Sequence, residues 1–411
     1  MATTADPTQS SVLSPQSSPS SSSSYRGPYD LTAEQDLFRQ TVREFGEREI
    51  VPIAHDLDER EEFPRETVKK MAELGLMGLL VPEEFGGAGA TTLDYALGIE
   101  EISWADASHS VVMSVNNSLV CEPIVRFGTD AQKRRYLPAL AGGEYVGAYC
   151  LSEPTSGSDA SNMSTVARRD GDDFVLNGTK SWITNGGEAG IYLVYAVSNP
   201  DARRKADGIT AFLIPGDTPG LRAGAKEKKL GIRASSTTQI FFEDCRVPAD
   251  AVLGTVDEGF RIAMATLDGG RIGIGAQALG IAQRAFDETV KYTKQREAFG
   301  HPIADFQGLQ WRMADMATRI EAARLLIYRA ARMKDAGQPF SKEASMAKLT
   351  ASETAMWVTH AAVQTFGGYG FVRDYPVEKL FRDAKITEIY EGTSEIQRVV
   401  IARELYVQHD A

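Results

Sequence analysis

Residues 382–397 read Arg382-Asp383-Ala384-Lys385-Ile386-Thr387-Glu388-Ile389-Tyr390-Glu391-Gly392-Thr393-Ser394-Glu395-Ile396-Gln397. The stretch reads as a buried approach, an abrupt Glu-Gly turn, and a new helix opened by Ser394, with Gln397 three residues on in a capping-box pattern. Glu391 thus stands just ahead of a helix N-terminus. Gly392 permits close backbone approach to a ligand. Ile389 and Tyr390 are placed to desolvate the carboxylate and raise its pKa, as a base working near neutrality requires. An isolated Glu-Gly pair is an ordinary helix start; its neighbours in the chain give this one meaning.

Three textures surround that stretch. From Leu31 to about Gly147 apolar residues recur at helix-like intervals, as in Leu37, Phe38, Val42, Phe45 and Ile50. Thr32, followed by Glu34 and Asp36, predicts a helix start. Glycines at 86, 87, 89, 142 and 143 divide this part into several helices. Between Glu144 and Gly254 the pattern changes to short β-branched and aromatic runs, Ile191–Val197, Ile209–Ile214 and Gln239–Phe242, broken by Gly, Asn, Asp and Pro. No helical pattern lies between them, which favours an antiparallel barrel or sandwich over a parallel βαβ sheet. After Phe260 helical spacing returns through Ala278, Ala282, Ala285 and Val290. Further stretches run over 306–336 and 341–366, where Ala344, Ala347, Ala351, Ala355 and Ala361 allow helices to approach closely. The expected organisation is α+β, mainly α: residues 1–28 a disordered Ser/Pro-rich tail, 29–147 a helical domain, 148–256 a β domain, and 257–411 a four-helix bundle.

Composition narrows the function. The chain has 411 residues, 43% of them hydrophobic, and no apolar run near the ~20 that a membrane span needs. A net charge of −12 argues against nucleic acid as a partner. Cys121, Cys150 and Cys245 stand far apart without a CxxC pair, so neither a disulfide framework nor a metal site is expected. The tail contains one basic residue, Arg26, which favours a bacterial-type cytoplasmic location over a mitochondrial one.

Four further segments carry chemistry. Residues 148–159, Ala-Tyr-Cys-Leu-Ser-Glu-Pro-Thr-Ser-Gly-Ser-Asp, offer turn amides and hydroxyls to a heterocycle edge. Lys180-Ser181-Trp182-Ile183-Thr184-Asn185-Gly186 reads as a strand and a turn. Asp268-Gly269-Gly270-Arg271 lies in a helical stretch; the nearby 273–278 run imitates a dinucleotide fingerprint but follows a helix, and is discounted. Arg296, Phe299, Gln307, Gln364, Thr365, Gly367 and Gly368 combine a planar guanidinium suited to pyrophosphate with a Gly-Gly that lets backbone lie against a nucleotide.

Taken in order, these motifs resemble those of the acyl-CoA dehydrogenase family from about Leu31 to Gln408, and the final segments look most like its short-chain, butyryl-type branch. The resemblance implies an FAD enzyme that converts a saturated acyl-CoA to the trans-2-enoyl-CoA. Glu391 would remove the α-proton while a β-hydride passes to flavin N5, and an electron-transferring flavoprotein would take the electrons. It implies flavin contacts from Tyr149, Leu151, Ser152, Gly157, Ser158, Trp182, Ile183, Thr184, Thr393, Ser394 and Glu395. Ser158, Asp268, Arg271 and Gly392 would touch substrate. Arg296, Phe299, Gln307, Gln364, Thr365, Gly367 and Gly368 would grip the FAD of a neighbouring subunit in a homo-oligomer, expected as a tetramer. Some branches place their base on the helix holding Asp268–Arg271; here the matching position is Gly270, which leaves Glu391. The alternatives are an acyl-CoA oxidase on the same fold, or a flavin-binding protein that does not dehydrogenate acyl-CoA.

Overall fold

The computed structural model describes residues 30–409; the expected tail at 1–28 lies outside them. The first helix, Ala33–Phe45, is capped by Thr32, whose hydroxyl accepts from Gln35 N while the Gln35 side chain returns to the Thr32 amide. Its buried side carries Val42 and Phe45, with Phe38 packed against the core; Leu37 lies off that stripe and is exposed. Further helices, among them Thr92–Ala105 and Asp130–Ala141, complete the helical part.

The sheet comprises β1 (Val146–Cys150), β2 (Val166–Asp170), β3 (Asp173–Thr184), β4 (Ala189–Val197), β5 (Ile209–Pro215), β6 (Leu221–Lys226), β7 (Thr237–Val247) and β8 (Val252–Leu253). Their order is β6-β7-β3-β2-β4-β5-β8, with β1 against β4. Most pairings are antiparallel, as the sequence predicts, but β1 runs parallel to β4, with Tyr149 opposite Leu193. The β2–β3 hairpin intervenes between these two strands, so the chain re-enters beside β1 in the same direction. The sheet is therefore mixed.

The long helix Gly259–Gln295, then Gln307–Asp335, Ser341–Phe366 and Ser394–His409 form the C-terminal bundle. Helix Ser341–Phe366 packs against the other three, and Ala344, Ala347, Ala351 and Ala355 are fully buried at its contacts. Small side chains bring the helix axes together, so the few large polar groups left on these faces lie deep. Among the described residues no helix is long and apolar enough to cross a membrane.

Candidate active site

The approach to Glu391 runs through helix Val377–Ala384 and a tight turn at Lys385–Glu388. Glu391 then adopts φ 53° and Gly392 φ 92°, both in the left-handed region. Glycine accepts that conformation freely; a glutamate there costs about 1–2 kcal/mol and persists only where its surroundings fix it. They do so here. Gln397 Nε2 donates to Gly392 O at 2.8 Å and to Glu391 O at 3.2 Å, and Lys348 Nζ donates to Gly392 O at 2.5 Å. The Tyr390 hydroxyl donates to Gln277 Oε1 on the long helix. The expected capping box is corrected: Thr393, not Ser394, caps the last helix, its hydroxyl accepting from Ile396 N and its carbonyl from Gln397 N. Gln397 turns back to the Glu-Gly carbonyls instead of closing a box, because two consecutive left-handed residues leave those carbonyls facing it.

The carboxylate itself is withdrawn from water. Oε2 is buried without a hydrogen-bond partner, and burial raises the Glu391 pKa to about 7 against the opposing pull of Lys348 and then Arg271. Gly270 makes this placement possible. A Cβ at 270 would overlap Glu391 Oε2 and lie 2.9 Å from Leu119 Cδ2. A side chain at 270 and the Glu391 carboxylate thus exclude each other sterically. Tyr390 is partly buried against the core and feels the Glu391 charge, whereas Ile389 is 47% exposed and cannot shield the carboxylate as its sequence position suggests.

Arg271 lies buried one position beyond Gly270. It pairs with Asp268, and Nη1 reaches Ser345 Oγ at 3.4 Å. Asp268 also accepts from Ser341 Oγ at 2.9 Å, so the pair stitches the long helix to helix Ser341–Phe366. Arg271 Nε is buried with no partner, and burial holds its pKa below the ordinary arginine value.

The 151–158 turn and the 180–184 segment meet through one buried ion pair. Lys180 Nζ lies 2.8 Å from Glu153 Oε1 and 3.1 Å from Leu151 O, while Ser181 N donates to Ser152 O at 2.9 Å. Glu153 also accepts from Ser164 N and Thr165 N, and these contacts outweigh burial to hold its pKa down at about 2. Between Lys180 and Ile183 the β3–β7 register slips, and Trp182 takes φ 63°. A tryptophan in a β domain is ordinarily core. This one is 66% exposed, while Ile183 is buried and Thr184 half-buried. Gly157 and Ser158 are exposed. Tyr149 ties β1 to the long helix, its hydroxyl donating to Ala263 O at 3.4 Å. Its pKa is raised, first by burial and also by the Glu391 charge, which places the β1 end within electrostatic reach of that carboxylate. Thr393 stands half-buried, Ser394 buried and Glu395 exposed beyond the turn.

The remaining expected residues form a separate group. Arg296, Thr365, Gly367 and Gly368 line an open cavity of about 850 Å³ that shares none of its lining residues with the Glu391 site. Arg296 is exposed above the Tyr369 ring, 5.6 Å from its centroid. Gln307 and Gln364 are exposed, and Phe299 is 93% exposed at φ 54°.

Two side chains at the carboxylate escape a reading by sequence spacing alone. Lys348 sits in the stripe of buried alanines, one residue after Ala347 and four after Ala344; a lysine on an otherwise small, apolar face is the signal that could have found it. Tyr95 is buried, its hydroxyl 3.0 Å from Ser114 Oγ and packed over Gly273, one turn along the long helix from Gly270.

Models of the acyl-CoA dehydrogenase N-terminal, middle and C-terminal domains match residues 32–144, 148–245 and 257–406. The short-chain specific, mitochondrial acyl-CoA dehydrogenase of Rattus norvegicus is 54% identical over 376 residues, covering 92% of this chain and 91% of its own. Among solved structures, the butyryl-CoA dehydrogenase of Megasphaera elsdenii superposes with a TM-score of 0.89 at 45% identity, over 92% of this chain and 99% of that one. A chain from work on the electron transferring flavoprotein of Acidaminococcus fermentans gives 0.90 at 48%, over 92% and 98%. Identity of this depth, carried over nearly the whole helix–sheet–helix frame, places the protein in the acyl-CoA dehydrogenase family.

Proposed function

We propose that the protein is an FAD-dependent dehydrogenase of short saturated acyl-CoA thioesters, with Glu391 as its base. The observation that carries this reading is the partnerless Oε2 of Glu391, buried over the space that Gly270 leaves, in a carboxyl group whose pKa stands at about 7. A carboxylate so placed can take the α-proton, and the thioester oxygen that gathers charge in return needs donors such as the Glu391 amide. Bound flavin supplies the acceptor for the β-hydride, so that one proton and one hydride leave adjacent carbons.

The residues present fit a flavin. Trp182 offers an exposed indole face beside Thr184, and the Ser152–Ser158 turn is clamped next to it by Lys180 and Glu153. Gly367 and Gly368 have nothing within 4 Å of where a Cβ would stand, which leaves backbone free for a nucleotide. The open setting of Arg296 and Phe299 supports a second copy of the chain as the other half of the FAD site, and an electron-transferring flavoprotein as the acceptor fits the family. Tyr95 and Ser114 pack over Gly273, one helical turn past Gly270, and the short-chain specific relatives support a short acyl chain.

The test is anaerobic titration of the yellow protein with butyryl-, octanoyl- and branched acyl-CoA. Wild type should lose its flavin band with butyryl-CoA, and Glu391→Gln should keep FAD yet fail to bleach. Near-normal bleaching in Glu391→Gln defeats the proposal. Rapid peroxide release under air, with no gain from the electron carrier, would identify an oxidase.

A further inference from the structure

Lys348 is fully buried on helix Ser341–Phe366, and among the described residues no carboxylate comes within ion-pair distance of its ammonium group. A buried lysine without an ion-pair partner is costly. Among the described residues its one hydrogen bond runs to Gly392 O at 2.5 Å, the carbonyl just past the proposed base. Gly392 O also receives Gln397, so two donors from two helices converge on the one peptide that keeps Glu391 left-handed.

We propose that Lys348 is a positioning residue for the base: it clamps the Gly392 carbonyl, locks the Glu391–Gly392 turn, and presents a positive charge behind the carboxylate. This rests on the reading of Glu391 as base. The groups facing Glu391 are Lys348 from helix Ser341–Phe366, Arg271 from the long helix, Tyr95 from Thr92–Ala105, Tyr149 from β1 and its own neighbour Tyr390. Of the two cations, Arg271 spends its charge on Asp268, whereas Lys348 does not share its charge in an ion pair. Lys348 also feels Arg271, Glu388 and Glu395. Burial lowers its pKa to about 8, so it is mostly charged at pH 7 and opposes the burial that raises Glu391.

The sign is fixed. Removing a cation from beside a carboxyl group raises that group's pKa, so less of the base is ionised at a given acidic pH. The experiment follows the rate of flavin bleaching by butyryl-CoA against pH in holoenzyme carrying Lys348→Gln or Lys348→Met. Gln keeps a donor toward Gly392 without the charge; Met keeps neither. Both should move the acid limb up by about one pH unit, which is roughly a tenfold loss on that limb. Lys348→Gln should recover to within about twofold of wild type well above the limb, and Lys348→Met should stay slower throughout. Lys348→Arg, still cationic, should return the limb to its original place. An unmoved limb in flavin-replete Lys348→Gln, or a displaced limb in Lys348→Arg, overturns the proposal. Glu391→Gln separates the two readings: bleaching there removes Glu391 as base, whereas loss there beside an unmoved Lys348 limb removes Lys348 alone.

Discussion

The Glu391 turn and the Arg296–Gly368 cradle lie in the same C-terminal part of the chain, yet they are built in opposite ways. The turn is over-determined from within: Lys348, Gln397 and the Tyr390–Gln277 contact hold two left-handed residues, and Gly270 reserves the space for one carboxylate oxygen. The cradle is held by ring contacts, Phe366 stacked on Tyr292 and Phe299 edge-on to Phe306, and leaves its outer groups open. Phe299 stands 93% exposed in a strained conformation, and among the described residues Arg296 has no carboxylate partner. A turn that would hold a proton acceptor in place is completed by the chain that carries it. A surface that leaves an aromatic ring and a guanidinium in water is where the proposed second copy of the chain would complete the site.

The largest effect that would break this comparison is expected on the rigid side. Gly270→Ala puts a methyl group where Glu391 Oε2 lies, with Leu119 behind it, so the carboxylate must leave. Losing a general base costs about 10²- to 10⁴-fold in rate. Single-turnover bleaching should fall into that range with the flavin content unchanged. A rate within tenfold of wild type would mean the turn is softer than its contacts imply.

On the open side the expected loss is in binding. A charge-assisted hydrogen bond is worth about 1.5–3 kcal/mol, so Arg296→Ala should weaken FAD by roughly ten- to a hundredfold. Protein reconstituted at saturating FAD should then bleach with the wild-type pH dependence. Sedimentation during reconstitution would show whether oligomer and flavin are lost together.

Burial of Glu391 also predicts a trade of stability for activity. Its pKa moves from 4.5 in an ordinary setting to about 7, so within that window the folded state holds a proton that the unfolded chain releases. Stability therefore falls as pH rises through the window, and the cost is full above pH 7. Glu391→Gln removes a cost on the order of 1–3 kcal/mol at pH 8 and little at pH 4.5. Thermal unfolding should show the variant more stable than wild type at pH 8, with the gap closing toward pH 5; an equal gap at both would assign the gain to something other than the charge.

Much of this was legible in the chain. Thr32 starts its helix as its neighbours predict, helix Ser341–Phe366 falls where the small-residue stripe does, and the β-branched runs are strands. These are local signals, set by spacing and capping chemistry. What stayed hidden depends on partners far along the chain: Gly270 as the space for Glu391, Lys348 on its turn, and Trp182 turned outward by a register slip. Thr393 displaced Ser394 as the cap for a related reason, since the left-handed pair ahead of it decides where the helix begins. A parallel β1–β4 pairing is likewise invisible to strand patterns, which carry no direction.

The smallest expected effect gives the finest test of the comparison. Gly157, in the turn that Glu153 and Lys180 clamp, has nothing within 4 Å of where a Cβ would stand, and its φ does not require glycine. By the chain's own contacts, Gly157→Ala should be silent or slightly stabilising, by about 0.4–1 kcal/mol through the unfolded state. Gly367 also has open space around it, but at φ 63° and ψ −133° an alanine there should cost about 1–3 kcal/mol whatever lies nearby. Measured together by chemical unfolding and FAD titration, the pair separates backbone strain from ligand approach. If Gly157→Ala keeps its stability but loses flavin, the space beside the clamped turn is filled by the cofactor in the holoenzyme. If it loses neither, the turn reaches the flavin through its hydroxyls and amides alone, and the flavin contact implied for Gly157 does not need its bare backbone.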